Sequence, residues 1–225
     1  MRLRTTLVLV APAAIAILFS SCSLKSRSRP GLAEYQAYDL PTKLPANPRS
    51  VRVKVSLSKQ RVYVLEGSTV LVAMPVSVGA PGSVTPSGNF TILKKEHKHR
   101  DTTHGYAYRG ENITQTVRSK KRPGWLFKGT PLPYWCEFKP DYGFHTGWVK
   151  HQPCTNGCIR MHENLAPKFF RLVSIGTPVN IAYSQPEDAT VKVPLPPDAG
   201  PLPDYKLSTY TTDRYFHQHK TPVYN

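Results

Sequence analysis

Apolar and polar residues alternate through much of the middle of this 225-residue chain. In residues 51–57, Val51, Val53, Val55 and Leu57 share one side, and Arg52, Lys54 and Ser56 share the other. A period of two residues is the pattern of a half-buried strand. Residues 61–65 (RVYVL) predict a second strand, and Glu66-Gly67-Ser68 a turn. Residues 69–78 (TVLVAMPVSV) predict the return, so a hairpin or meander is expected here. Residues 79–88 (GAPGSVTPSG) read as a loop, followed by a short strand at 89–93. Strand patterns resume at 132–138, 142–145 and 177–183. One helix is predicted over 163–173, where Leu165, Phe169, Leu172 and Val173 recur at helical spacing and Pro167 sits in the first turn. Many short strands, few helices and frequent turns predict a mainly β domain, a β-sandwich or open barrel with one or two short helices.

The polar stretch 94–124 breaks this pattern. It holds nine basic residues (94, 95, 98, 100, 109, 118, 120, 121 and 122) against Glu96, Asp101 and Glu111. It reads as an insertion that roofs a site or as a solvated surface loop.

The ends of the chain differ from its middle. Arg2 and Arg4 precede an apolar run over 5–19 that is interrupted by Pro12, the layout of an export signal too short for a full membrane span. Ser20 and Ser21 lead to Cys22, a sequence similar to a bacterial lipoprotein box with Phe19 at the usual leucine position. Residues 1–22 are therefore expected to be a signal peptide of lipoprotein type, with Cys22 as the lipidation site. The mature chain is expected in the cell envelope, on the periplasmic side of a membrane, where disulfides can form. Residues 23–49 hold Pro30, Pro41, Pro45 and Pro48 and read as a Pro-rich tether. Residues 185–225 hold seven prolines and read as an extended, poorly ordered C-terminal tail. The folded domain is expected at 50–184.

With 22 Pro and 14 Gly, long helices, a coiled coil and a multi-pass membrane protein are excluded. A wholly disordered chain is excluded by 12 Tyr, 8 Phe and 3 Trp that require burial. The net charge of +16 falls to +14 when the two arginines of residues 1–22 are removed. Such charge suits an anionic polymer or surface. Export and the lack of an aromatic–basic ladder argue against nucleic acid.

Chemistry concentrates in residues 143–161 (GFHTGWVKHQPCTNGCIRM). A nucleophilic thiol needs a base beside it, because an unperturbed thiol is only a few per cent ionised at neutral pH. It also needs main-chain N–H groups aimed at the developing oxyanion, and a preceding glycine lets the backbone approach the substrate. Cys158 after Gly157 fits these needs. His145 is the first candidate base and His151 the second. A cysteine and a histidine in one chain are by themselves a weak signal.

Further blocks strengthen it. Gln60-Arg61-Val62-Tyr63-Val64, Pro75-Val76-Ser77-Val78-Gly79, Thr85-Pro86-Ser87-Gly88-Asn89-Phe90, Pro133-Tyr134-Trp135 before Gly143-Phe144-His145, and Thr155-Asn156-Gly157-Cys158-Ile159-Arg160-Met161 occur in this order, and Gly176-Thr177-Pro178-Val179 closes the series. Over about 51–183 the chain resembles the L,D-transpeptidase catalytic domain (YkuD-like) of bacterial cell-wall enzymes. Two features depart from that family's pattern. Asn156 stands where the family has a histidine, and the stretch between His145 and Cys158 is short and contains Cys154.

The resemblance implies a peptidoglycan enzyme that needs no cofactor and acts on stem peptides in cell-wall biogenesis and shape maintenance. Cys158 would be the nucleophile and His145 the proton donor and acceptor. The Thr146 carbonyl would orient the imidazole, and N–H groups around Gly157 and Cys158 would receive the oxyanion. Asn156 would keep a hydrogen-bonding role, and Arg160 would brace the site or meet a substrate carboxylate. The acceptor could be a second stem, water or a protein amine, and a catalytically weakened wall-binding lipoprotein is the alternative reading. The basic 94–124 segment would concentrate stem carboxylates. A monomer is expected. With Cys22 lipidated and Cys158 kept as a thiol, Cys136 and Cys154 remain as a candidate disulfide; a Cys154–Cys158 bridge or unpaired thiols are the alternatives. His97, His99 and His104 match no zinc-finger spacing, and no metal is expected.

Overall fold

A computed structural model describes residues 31–198 and 206–218. Its centre is a ten-stranded mixed sheet in the order β4-β10-β1-β2-β3-β9-β8-β7-β5-β6. The alternating segments form β1 (Val51–Ser56), β2 (Arg61–Glu66) and β3 (Thr69–Ser77), an antiparallel meander, with β10 (Pro178–Ala182) parallel to β1 and β4 (Gly88–Thr91) outside it. Beyond β3 come β9 (Ile159–Met161), β8 (Tyr142–Thr146), β7 (Leu126–Lys139), β5 (Lys94–Arg109) and β6 (Asn112–Val117).

The sheet curls over its core. The Phe90 ring on β4 meets Phe138 on β7 with centroids 5.3 Å apart, although the two strands lie far apart in the sheet order. The link between β4 and β5 is shared between the two halves: Ile92 N–H donates to Thr177 O and Leu93 N–H to Glu137 O. Helix α2 (Ala166–Leu172) sets Phe169 against Phe144, 4.6 Å between rings. Phe144, Ile159, Met161 and Phe169 are fully buried in this core.

The mainly β expectation holds, and three parts of the sequence reading are corrected. The 94–124 segment is not a solvated loop but mostly the long strand β5, paired with β7, and β6, and part of β5, from Lys94 to His104, walls a cleft as the roofing reading expected. The pattern conceals this because both faces of these strands carry polar side chains. The expected tether is docked: from residue 31 it forms helix α1 (Leu32–Ala37), buries Tyr35 at 1 % exposure and joins Lys168 Nζ to Asp39 Oδ2 at 2.8 Å. The described parts of the tail, 185–198 and 206–218, are docked as well. Asp188 accepts from Ser56 Oγ and Tyr63 Oη, both at 2.8 Å, and Arg100 donates to the carbonyls of Tyr210 and Thr212. Two further one-turn helices, α3 (Glu187–Thr190) and α4 (Leu207–Tyr210), belong to this tail. Among the described residues no helix is long and apolar enough to cross a membrane. Cys22 and the expected signal lie outside the described residues.

Candidate active site

β8 and β9 run parallel, with Phe144 opposite Ile159, His145 opposite Arg160 and Thr146 opposite Met161. Residues paired across a sheet share a face, and faces alternate along a strand. Phe144, Ile159, Thr146 and Met161 therefore face the core, while His145 and Arg160 face outward. Cys158, two residues before Arg160, falls on the same outer face as His145. Trp135 and Glu137 of β7 join them there, since Glu137 pairs with Gly143. A cleft of about 460 Å³ opens on this face, lined by Cys158, Asn156, Tyr142, Trp135, Asp101 and His104 among others.

His145 is 6 % exposed, and its Nδ1–H donates to the Thr146 carbonyl at 2.8 Å. That bond fixes the tautomer and leaves Nε2 as the basic nitrogen. Burial, aided by the positive charge of Arg160, pushes the imidazole down to about 4. Burial pushes the Cys158 thiol up to about 11, against the opposing pull of a hydrogen bond from the Gly143 main chain. At neutral pH both groups are thus uncharged.

Trp135, the last residue of the Pro133-Tyr134-Trp135 block, lies over the imidazole. Its ring is 2 % exposed and stacks on His99 at 4.4 Å and on His145 at 6.3 Å. It lies flat against Gly143, where a Cβ would meet the indole at 2.7 Å. The sequence placed it in a block on the strand leading to the histidine, but not its stacking on the ring. Gly157 has φ +107°, and a Cβ there would come within 2.5 Å of Tyr142 Cε1, so the turn before the nucleophile requires glycine.

Several expected roles change. Gly157 N–H donates to Thr155 Oγ1 at 3.1 Å, and that hydroxyl donates to Cys158 O at 2.6 Å. Gly157 N–H is therefore engaged in the turn rather than turned toward an oxyanion. His151 Nε2–H donates to the Pro196 carbonyl at 2.8 Å, which engages the residue with the C-terminal segment rather than with Cys158. Arg160 Nη1 donates to Trp148 O at 3.3 Å and lies 3.9 Å from Cys154 Sγ, which makes it a brace for the loop after β8. Asn156 is exposed on the cleft wall.

The expected Cys136–Cys154 disulfide is not formed; Cys136, Cys154 and Cys158 are free. The sheet explains this. Cys136 pairs with Phe144 and faces the core, where burial raises its thiol to about 12, whereas the Cys154 sulfur lies beside Arg160 on the outer face. Among the described residues no cluster of potential ligands could hold a metal ion. His97 packs between Tyr134 and Phe170, and His99 and His104 pair with Glu96 and Asp101.

The family model described as the YkuD L,D-transpeptidase catalytic domain matches residues 50–181. The chain belongs to this family. Solved L,D-transpeptidases share the likeness at low identity. One from Mycobacterium smegmatis is 22 % identical with a TM-score of 0.45, covering 59 % of this chain and 58 % of that one. One from Stackebrandtia nassauensis is 22 % identical with a TM-score of 0.45, covering 68 % and 65 %. An L,D-transpeptidase in complex with imipenem is 21 % identical with a TM-score of 0.46, covering 59 % and 59 %. The chain thus spans less than two thirds of the length of these L,D-transpeptidases. No curated protein matches it.

Proposed function

We propose that this protein is an exported, lipid-anchored L,D-transpeptidase that cross-links peptidoglycan stem peptides through a thioester on Cys158. The observation that carries the reading is the outer face shared by Cys158 and His145, with Nδ1 of the imidazole fixed on Thr146 O and Nε2 left as base.

Because thiol and imidazole are both neutral, attack and proton transfer run together. Cys158 Sγ bonds to the carbonyl carbon of the amide between the third-position residue and D-alanine, while His145 Nε2 takes the thiol proton. The Cys158 N–H meets the oxyanion, since Gly157 N–H is engaged by Thr155. A lost donor of this kind costs about 3 kcal/mol of transition-state stabilisation. The C–N bond then breaks, His145 returns its proton to the departing D-alanine amine, and a thioester remains. An amine of a second stem attacks the thioester, His145 takes its proton, and the sulfur leaves as thiol. Water in that step gives an L,D-carboxypeptidase, and a protein amine gives anchoring of that protein. Asn156, exposed on the cleft wall, offers an amide that hydrogen-bonds without titrating where the family has a histidine.

Incubation with purified disaccharide-tetrapeptide, followed by mass spectrometry, tests this. A cross-linked dimer with release of D-alanine, lost in Cys158→Ala, is expected. Tripeptide alone identifies the carboxypeptidase. No product, together with no covalent adduct from a carbapenem under reducing conditions, identifies a non-catalytic wall-binding protein. Globomycin-sensitive maturation and radiolabelled palmitate on Cys22 test the anchor.

A further inference from the structure

Tyr35 lies in α1, outside residues 50–181 that the family model matches, yet it reaches both ends of the segment that carries the chemistry. Its hydroxyl accepts the Val149 N–H at 2.8 Å, three residues after Thr146. Its carbonyl accepts Nε2–H of His162 at 2.8 Å, one residue after β9 and four after Cys158. Its ring packs on the His162 ring with centroids 4.5 Å apart. His162 is fully buried and accepts Asn164 N–H on Nδ1 at 3.1 Å, so its tautomer is fixed. Asn164 in turn donates to the carbonyls of Gln36 and Tyr38.

We propose that Tyr35 is a positioning residue for the Cys158–His145 pair. The Thr146 carbonyl that orients His145 belongs to a short run of chain whose path is set by Gly147 N–H on Met161 O, Arg160 on Trp148 O and Tyr35 on Val149 N–H. Tyr35 adds a link from outside the sheet to both this run and the residue after β9, beside the Gly147–Met161 and Arg160–Trp148 bonds, and thereby helps set the spacing between imidazole and sulfur. Tyr38 Oη donates to Pro194 O, and Pro196 O holds His151, so the C-terminal strap closes over the same loop. The segment that leads toward the membrane anchor is in this way a component of the catalytic geometry. The proposal rests on the transpeptidase reading for its activity readout, but its geometry can be tested without substrate.

Tyr35→Phe keeps the ring and the carbonyl and removes only the hydroxyl. In the full mature chain we expect Val149 N–H to exchange about tenfold faster or more, the loss of one hydrogen bond worth about 1.4 kcal/mol. We also expect kcat to fall about tenfold with KM within twofold, and the ¹⁵N-histidine spectrum to show His145 leaving its Nδ1–H tautomer. Faster Val149 exchange with an unchanged His145 tautomer and unchanged kcat would overturn the proposal and leave Tyr35 as packing. If the wild-type protein has no activity on stem peptides, the transpeptidase reading fails, and the tautomer and the rate of Cys158 alkylation still decide the role of Tyr35. Should Tyr35→Phe unfold the chain, Val149→Pro, which removes the same N–H and leaves Tyr35 intact, is read by kcat and by the His145 tautomer: both unchanged would overturn the proposal.

Discussion

The ionisation state of Cys158 makes the sharpest prediction. Burial raises its thiol from an ordinary 9.0 to about 11, and the candidate base, His145, is held at about 4. The thiolate fraction at pH 7 is then about 100-fold below that of an exposed thiol. A more basic thiolate is a better nucleophile, which recovers about tenfold. Alkylation of Cys158 by iodoacetamide at pH 7 should therefore run about tenfold slower than that of a free cysteine. Its rate should keep rising toward pH 11 without a plateau. The assay is mass spectrometry of the Cys158 peptide across pH 5–11, which separates it from half-buried Cys154 and buried Cys136. Rapid alkylation with an inflection below pH 7 would mean a preformed thiolate–imidazolium pair and would refute the neutral-pair argument.

Acid should destabilise the fold through two histidines. His145 and His162 are both lowered from 6.5 to about 4 by burial, so the unfolded chain binds protons that the folded chain refuses. Their contribution is intact above pH 6.5 and is lost as pH falls toward 4, about 2–3 kcal/mol each by pH 4.5; equal urea midpoints at pH 7.5 and 4.5 would contradict this. Gly157→Ala should abolish carbapenem acylation and lower stability by roughly 1–3 kcal/mol, because its Cβ meets Tyr142 at φ +107°; acylation at the wild-type rate would count against the tight turn. Asn156→His should change the thermal midpoint little, as expected for an exposed site away from packing, within about 0.5 kcal/mol. Neutralising Lys120, Lys121 and Arg122 together should weaken sacculus pull-down in a salt-dependent way while kcat on soluble tetrapeptide stays unchanged, since none of the three lines the cleft; identical pull-down across salt concentrations would reject a role in wall binding.

The chain's own pattern determined the meander β1–β3, the strands β8 and β10, helix α2 and the residues of the Cys158 motif, because strands packed on one side write their burial as a period of two. It also placed Gly157, where backbone conformation alone demands glycine. It did not reveal β5 and β6, whose solvent-facing sides are polar on both surfaces, nor the docking of residues 31–49 and 185–198, whose prolines read locally as extended chain. The tertiary structure alone decided the rest. Which face of the sheet a side chain takes depends on partners far away in sequence, so only the assembled sheet could separate Cys136 from Cys154, stack Trp135 on His145, engage Gly157 N–H with Thr155 and bring Tyr35 to the loop after β8. Those contacts span large sequence separations, and no local period records them.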